Sequence, residues 1–258
     1  LSPEPPEQHR GPEHQQDVAD DRAGEARLDH VEESLLQRDQ RVLLCLLDTR
    51  DFPTAFLGAL WAGVVPVPLN TLLTSDDYGW ILHNSGAVAV LVSGDIVDRW
   101  EGVAAAERHV HFISSEGGPW LDLEALLADA TPQAEPAATH RDDVAFWLYT
   151  SGSTGRPKGA MHIHGSLRLS ANLYGIGTAG LRSDDVVLSI AKQFFAYGLG
   201  NALTFPFAAG ATVVLFRGRA TPAEISEVIV RHQVSVLGGV PTFFAGWLAH
   251  PSCPTHET

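Results

Sequence analysis

The chain of 258 residues has little cysteine, a single methionine and a shortage of positive charge. Its cysteines are Cys45, inside an apolar run, and Cys253, so neither a disulfide framework nor a cysteine-based metal site is expected. The formal net charge of −14 argues against a nucleic-acid binder and against a basic protein of the membrane surface. This cysteine usage suits a reducing compartment, and we expect the protein in the cytoplasm.

Long hydrophobic runs are also absent. The longest apolar stretch, residues 56–69, is interrupted by two glycines and two prolines and is shorter than the roughly 20 residues of a membrane-spanning helix. The N-terminus is acidic and has no apolar signal segment, so we expect no membrane association. With 45% hydrophobic and 19% charged residues, the composition is instead that of a globular protein able to bury a core.

Residues 1–40 differ from the rest of the chain. They carry 11 acidic residues, 4 arginines and no aromatic residue, and four of the first twelve positions are proline. Such a segment has little to bury, and we expect it to be disordered or weakly helical. A reading-frame error would produce this composition; a natural extension and a segment added for expression are the alternatives. Because the chain begins at Leu1 and its only methionine is Met161, we expect a fragment or a processed product.

From about residue 41, apolar strands alternate with amphipathic helices, which predicts an α/β fold with layered, mainly parallel sheets. Asp48 or Thr49 is expected to cap the first helix, whose inward stripe is Phe56, Leu57, Leu60 and Trp61, and Ser75 is expected to cap the second. Residues 131–140 have the composition of a linker. The predicted strands are 42–47, 64–67, 88–92, 110–113, 144–149, 186–190, 212–216 and 234–237, and the later helices are 121–127, 164–174, 199–207, 222–232 and 242–248.

The most informative stretch is the loop that follows the strand 144–149. Residues 149–159, Tyr-Thr-Ser-Gly-Ser-Thr-Gly-Arg-Pro-Lys-Gly, combine four serine or threonine hydroxyls, three glycines and a lysine. Glycines let the backbone approach an anion, hydroxyls donate to phosphate oxygens, and a lysine adds a positive charge. A flexible linker is the alternative, but Pro157, Lys158 and the apolar strand oppose it. The spacing is not that of a Walker loop, because Arg156 and Pro157 separate Gly155 from Lys158. The pattern therefore predicts a polyphosphate clamp.

This eleven-residue string resembles, position for position, the phosphate-loop signature of the acyl-adenylate-forming superfamily. Residues 56–70 and 239–242 resemble two further segments of that superfamily, and the similarity covers about residues 38–251. The resemblance implies that residues 41–258 are a partial N-terminal AMP-binding domain. It also implies that the adenine-side segment and the mobile C-terminal domain are absent, so that the chain itself is expected to be inactive.

The superfamily forms an acyl-AMP from a carboxylate and Mg-ATP and then transfers the acyl group to a thiol. The resemblance implies ATP, Mg²⁺ and coenzyme A as ligands of the parent enzyme. It gives Lys158 and Thr154 catalytic roles, and it assigns the β- and γ-phosphates to Thr150, Ser151, Gly152, Ser153, Thr154, Gly155 and Lys158.

Residues 191–201, Ala-Lys-Gln-Phe-Phe-Ala-Tyr-Gly-Leu-Gly-Asn, resemble the acid-pocket segment of the benzoate-CoA ligase subgroup. The resemblance implies that Ala196 and Tyr197 line an aromatic acid, with the small side chain leaving room for a flat ring and the tyrosine packing on it. Ordinary core aromatics are the alternative, and we expect that role for Phe194 and Phe195.

Other polar residues near these motifs receive no part in the chemistry. His162 and His164 have the spacing of a metal pair, but without a third ligand we expect packing at a helix entry and no metal site. Lys192 is interpreted as an isolated charge at a strand end. The expected partners are therefore a small aromatic acid, ATP and CoA, with no nucleic acid and no membrane; a homodimer is left open.

Two other functions remain. An adenylation domain would pass its acyl group to a carrier protein, and a non-catalytic fragment would only bind ATP. Within the ligase interpretation, benzoate, hydroxybenzoate, aminobenzoate and alicyclic acids are not separated by these residues.

Overall fold

The computed structural model describes residues 35–150 and 155–254. The chain divides into two units, Leu1–Leu35 and Leu36–Thr258. The expected disorder of residues 1–40 falls almost wholly outside the described residues, as do Ser151, Gly152, Ser153 and Thr154 of the clamp.

The described residues form ten strands and nine α-helices, joined by a 3₁₀ turn at Gly94–Arg99 and by π-helical turns at Ala171–Ile176 and Gly200–Thr204. The strands are β1 Arg41–Cys45, β2 Val65–Pro68, β3 Ala89–Ser93, β4 His111–Ser115, β5 Leu121–Asp122, β6 Val144–Thr150, β7 Lys158–Ile163, β8 Val186–Ser189, β9 Thr212–Val214 and β10 Val236–Gly238. The helices are α1 Asp51–Trp61, α2 Ser75–Ser85, α3 Glu101–Ala106, α4 Leu123–Asp129, α5 His164–Ser170, α6 Ala196–Leu199, α7 Phe205–Ala209, α8 Pro222–His232 and α9 Pro241–Leu248.

A five-stranded parallel sheet, in the order β2-β1-β3-β4-β5, is the centre of the first half. Along β1, Val42 and Leu44 pack into one core cluster, whereas Leu43 and Cys45 pack into the other. A strand whose side chains alternate between two dry faces must be apolar at every position, which is why the run reads as continuous rather than alternating. The predicted fold class is confirmed.

Helix α1 covers one face of this sheet through Phe52 and Phe56, both fully buried. The prediction that Leu57 and Trp61 point inward is wrong, since both are exposed. Of the two predicted caps, Thr49 is confirmed, because its hydroxyl oxygen accepts the backbone N–H of Asp51, the first residue of the helix, at 3.3 Å. Asp48 is engaged elsewhere.

Helix α2 buries Tyr78, Ile81 and Leu82, as predicted, and ends at Gly86. Its cap is Thr74 rather than Ser75: the Thr74 hydroxyl accepts the backbone N–H of Asp77 at 3.2 Å. The prediction misses by one position because two adjacent hydroxyl residues both satisfy the cap preference.

The second half contains two smaller sheets. Strands β10-β8-β9 form a parallel sheet, and β6 pairs with β7 as an antiparallel hairpin. Strand β7 was not predicted, and α6 begins at Ala196 rather than at Leu199. Helix α8 spans the predicted residues 222–232, with Thr221 as its cap and a proline in its first turn.

Across the described ranges, no helix combines the length and the apolar character needed to cross a bilayer.

Candidate active site

The described residues at the two ends of the predicted clamp, Thr150 and Lys158, lie on the paired strands β6 and β7. Thr150, the last residue of β6, pairs with Lys158, the first residue of β7. The ladder therefore brings the two ends of the motif together and leaves residues 151–157 to connect them. Lys158, where the chain enters β7, is exposed. Gly155 has φ +96, a conformation that side-chain-bearing residues rarely adopt, and its position has open space where a Cβ would lie.

Strand β6 of the hairpin packs against both hydrophobic core clusters. Ala145, Phe146 and Leu148 of β6 belong to one core cluster. Trp147 and Tyr149 pack against the other cluster. Because side chains on both faces of β6 are packed, the position of the residue that ends the strand is fixed.

Helix α2 contacts the hairpin next to the clamp. The hydroxyl of Tyr149 donates to Oδ1 of Asn84 at 2.7 Å, and burial raises the pKa of Tyr149 to about 12. The Tyr149 ring lies edge-on to Trp80, with 6.2 Å between centroids. The guanidinium of Arg156 lies 5.9 Å from the centroid of the Trp80 ring, a cation–π distance. Trp80 and Asn84 therefore contact Tyr149 and Arg156 on the two described sides of the predicted clamp, although neither was singled out in the sequence.

His162 and His164 lie where β7 passes into α5. The ring of His162 stacks on Phe146 with 4.6 Å between centroids. Burial lowers the pKa of both histidines, and the nearby Asp143 carboxylate partly opposes this for His164. A neutral imidazole stacked on an aromatic ring is a packing arrangement. Within the described ranges, no three His, Cys, Asp or Glu residues are grouped so as to hold a metal ion.

The predicted acid-pocket segment forms the beginning of α6. Tyr197 is 42% exposed, and its hydroxyl donates to the carbonyl oxygen of Gly239 at 3.2 Å. This bond joins two segments that the sequence had singled out separately, the acid-pocket segment and the turn before α9. Ala196, the first residue of α6, is also exposed.

The two phenylalanines of this segment have different environments. Phe194 is buried in the same core cluster as Phe146 of the hairpin. Phe195 is 50% exposed and packs on Phe194, with 4.5 Å between ring centroids. The expectation of a core role therefore holds for Phe194 and is wrong for Phe195.

A buried charged contact that the sequence did not predict lies behind the acid-pocket segment. Oδ1 of Asp48 accepts the backbone N–H of Gln193 at 3.1 Å, and Oδ2 of Asp48 lies 3.8 Å from Nζ of Lys192. Burial raises the pKa of Asp48 to about 6, although the Lys192 charge and the Gln193 N–H oppose this. Burial also lowers the pKa of Lys192, against the attraction of Asp48. Lys192 is thus not an isolated charge, and Asp48 is not a helix cap.

Comparison with known proteins points to one family. The family model described as AMP-binding enzyme matches residues 32–258. The chain is 49% identical over 220 residues to a benzoate–CoA ligase of Thauera aromatica, and the alignment covers 85% of this chain and 42% of the relative. It is 44% identical over 223 residues to a 4-hydroxybenzoate–CoA/benzoate–CoA ligase of Rhodopseudomonas palustris, covering 85% and 41%.

A solved structure gives the same indication. The crystal structure of a benzoate CoA ligase from Burkholderia xenovorans LB400 superposes with a TM-score of 0.79 at 45% sequence identity, covering 86% of this chain and 44% of that one. The chain therefore spans about two fifths of the length of the relatives that it matches.

Proposed function

The chain belongs to the AMP-binding enzyme family, and on this premise we propose that the protein activates an aromatic carboxylic acid of the benzoate type with ATP and converts it to the CoA thioester. In the first step a carboxylate oxygen attacks the α-phosphorus of ATP, and the bond to pyrophosphate breaks. In the second step the thiolate of CoA attacks the acyl carbon, and AMP leaves. The similarity to two ligases of benzoate-type acids supports this substrate class.

The observation that carries the proposal is the position of the clamp. Its lysine lies exposed opposite Thr150 at the open end of a hairpin whose strand is buried on both faces. We assign the β- and γ-phosphates of ATP to Thr150, Ser151, Gly152, Ser153, Thr154, Gly155 and Lys158. Preorganised donors of this kind stabilise the charge that develops on the leaving pyrophosphate, and Lys158 and Thr154 are proposed to contribute most of this effect.

Mg²⁺ is proposed to enter with ATP. It takes oxygen ligands and is commonly held by substrate phosphates together with a few protein groups. The clamp offers hydroxyl oxygens, which are hard ligands of the kind that this ion accepts.

Ala196 and Tyr197 are proposed to contact the ring of the acid. Both are exposed at the start of α6, and the bond from Tyr197 to Gly239 holds the phenol ring in place without burying it. An exposed, fixed aromatic face beside a methyl side chain suits a flat ring better than a flexible chain.

The test is pyrophosphate–ATP exchange by the complete gene product, with benzoate, a straight-chain acid of equal carbon number and phenylalanine as alternative acids. We expect exchange with benzoate at least tenfold faster than with the other two. Addition of CoA is expected to release benzoyl-CoA. Exchange driven best by phenylalanine, with acyl transfer only to a carrier protein, would favour an adenylation domain instead. Binding of ATP without exchange for any acid would favour a non-catalytic role.

A further inference from the structure

Asp48 and Lys192 meet at a buried junction of three segments. Asp48 follows β1, and Lys192 is the second residue of the acid-pocket segment. The carbonyl groups around Lys192 belong to residues 216–218, which follow β9. Asp48 is only 5% exposed, and neither phosphate binding nor contact with the acid uses either residue. The Lys192 side chain is 24% exposed, so the pair joins a buried carboxylate to a partly buried ammonium group. A carboxylate buried this deeply requires an explanation, because charged groups are seldom buried without a partner or a function.

The ammonium group of Lys192 is fully engaged. It donates to the carbonyl oxygens of Phe216, of Arg217 at 3.3 Å and of Gly218 at 2.7 Å. A lysine has three N–H donors, so all three are directed at consecutive carbonyl groups, and the Asp48 carboxylate adds attraction at 3.8 Å. These four acceptors tie the Lys192 side chain to the segment after β9 and to the segment after β1.

The chain between this junction and Tyr197 is short and tightly packed. The N–H of Phe195 donates to the carbonyl of Lys192 at 3.0 Å. A Cβ at Gly198 would lie 1.9 Å from the same carbonyl oxygen, so α6 can approach Lys192 this closely only because residue 198 is glycine. The side chain of Gln193 donates to the carbonyl of Ala202 at 3.1 Å. A shift of Lys192 is therefore passed directly to Ala196 and Tyr197.

Stability alone does not account for the pair. A buried ion pair is often no more stabilising than apolar residues of the same volume, since desolvation offsets the attraction. What distinguishes such a pair from apolar packing is that its contacts depend on geometry: they form only when the three segments are correctly placed relative to one another. We propose that Asp48 and Lys192 are positioning residues that set the placement of Ala196 and Tyr197 and thereby the fit of the aromatic acid. This inference rests on the function proposed above.

The experiment uses the complete gene product with Lys192→Met, which removes the charge and keeps the length, and Asp48→Asn, which keeps an acceptor for the Gln193 N–H. Lys192→Arg is the conservative replacement. Asp184→Asn is the control, because it breaks an ion pair of 2.9 Å with Arg182 in which both side chains are exposed. Steady-state kinetics give KM for benzoate, KM for ATP and kcat, and hydrogen exchange without ligand gives the protection of residues 195–199.

For Lys192→Met and Asp48→Asn we expect KM for benzoate to rise tenfold or more, KM for ATP to change less than twofold, and protection of residues 195–199 to fall. Lys192→Arg should recover part of the benzoate affinity, and Asp184→Asn should match the parent protein. If either folded variant kept KM for benzoate within twofold, or raised both KM values equally, the positioning role would be refuted.

The two proposals fail in different ways. A parent protein that activates no aromatic acid refutes the proposed function, and with it the role toward that acid. If hydrogen exchange at residues 195–199 is unchanged in both charge-removing variants, Asp48 and Lys192 do not position this segment, whatever the substrate is. If Lys192→Met does not fold, the positioning role is judged from KM for benzoate and hydrogen exchange of Asp48→Asn, which is nearly isosteric with the parent.

Discussion

The five-stranded sheet and the candidate site are built in opposite ways. In β1 and β3, Leu43, Leu44, Val90 and Val92 are fully buried, and each side chain packs against one of two core clusters. In the candidate site, Lys158, Ala196 and Tyr197 remain exposed. Strand pairing holds the backbone of Lys158, and a hydrogen bond from its hydroxyl holds the Tyr197 side chain. Apolar burial thus fixes the support, whereas directed polar contacts place the groups that would touch ligands. Substitutions in the two regions should therefore affect different measurements.

The largest effect on stability is expected from Phe56→Ala. Phe56 is fully buried, stacks with Phe52 at 6.2 Å and meets Phe146 of the hairpin at 5.5 Å between centroids. Deleting a buried aromatic ring commonly costs about 3 to 5 kcal/mol of unfolding free energy. Denaturant unfolding measures it, with Leu72→Ala as the control, because Leu72 is 74% exposed. A loss below about 1 kcal/mol would show that this core tolerates a cavity.

Substitutions in the proposed clamp should reduce activity and leave stability almost unchanged. Lys158→Ala and Thr154→Ala are expected to slow pyrophosphate–ATP exchange, with a barrier raised by about 2 to 4 kcal/mol each, while the unfolding midpoint stays close to that of the parent. Arg108→Ala removes an exposed cation between α3 and β4 and is the matched control. Exchange at the parent rate in both clamp variants would show that the phosphate assignment is wrong.

A smaller and more selective effect is expected in the acid pocket. Tyr197→Ala should impair use of benzoate far more than the apparent affinity for ATP. Ala196→Val should discriminate against ring-substituted benzoates by about 1 to 3 kcal/mol, because the added methyl groups overfill the site. Kinetics with a series of acids of different shape measure both. Equal loss for every acid would assign these side chains to the support rather than to the pocket.

The smallest effect concerns the start of α2. Thr74→Ala should lower the unfolding free energy by about 1 kcal/mol, since the N–H of Asp77 loses its acceptor. Thr74→Ser keeps the hydroxyl and should stay within about 0.5 kcal/mol of the parent. If Thr74→Ala left the unfolding free energy unchanged, the cap would make no measurable contribution to the stability of α2.

The elements that periodicity and capping define were predictable from the sequence. Helix α8 has its Thr221 cap, a proline in its first turn and basic residues in its last, and its bounds agree at both ends. Strand β1 was recognised because a run that is buried on both faces has no polar position. The clamp stays a prediction, which the sequence supports because all of the residue types it needs lie within eleven consecutive positions.

The features that were missed depend on contacts distant in sequence. Strand β7 contains a glycine, an alanine and a histidine and is mostly exposed, so that only its pairing with β6 makes it a strand. Asp48 contacts Gln193 across 145 residues, and no local pattern can indicate such a bond. The local sequence predicts a helix cap at Asp48 or Thr49 and an isolated charge at Lys192, whereas the fold brings Asp48 and Lys192 together.

The pairing of Thr150 with Lys158 has a consequence for loop length. The ladder sets the position of both residues independently of how many residues connect them. Doubling the length of a flexible connection costs only about 0.6 kcal/mol in chain entropy. The fold should therefore accept an added glycine after Gly155 with little change in thermal stability. A slower pyrophosphate–ATP exchange in such a variant, at unchanged thermal stability, would support the proposed contact between this segment and the phosphates of ATP.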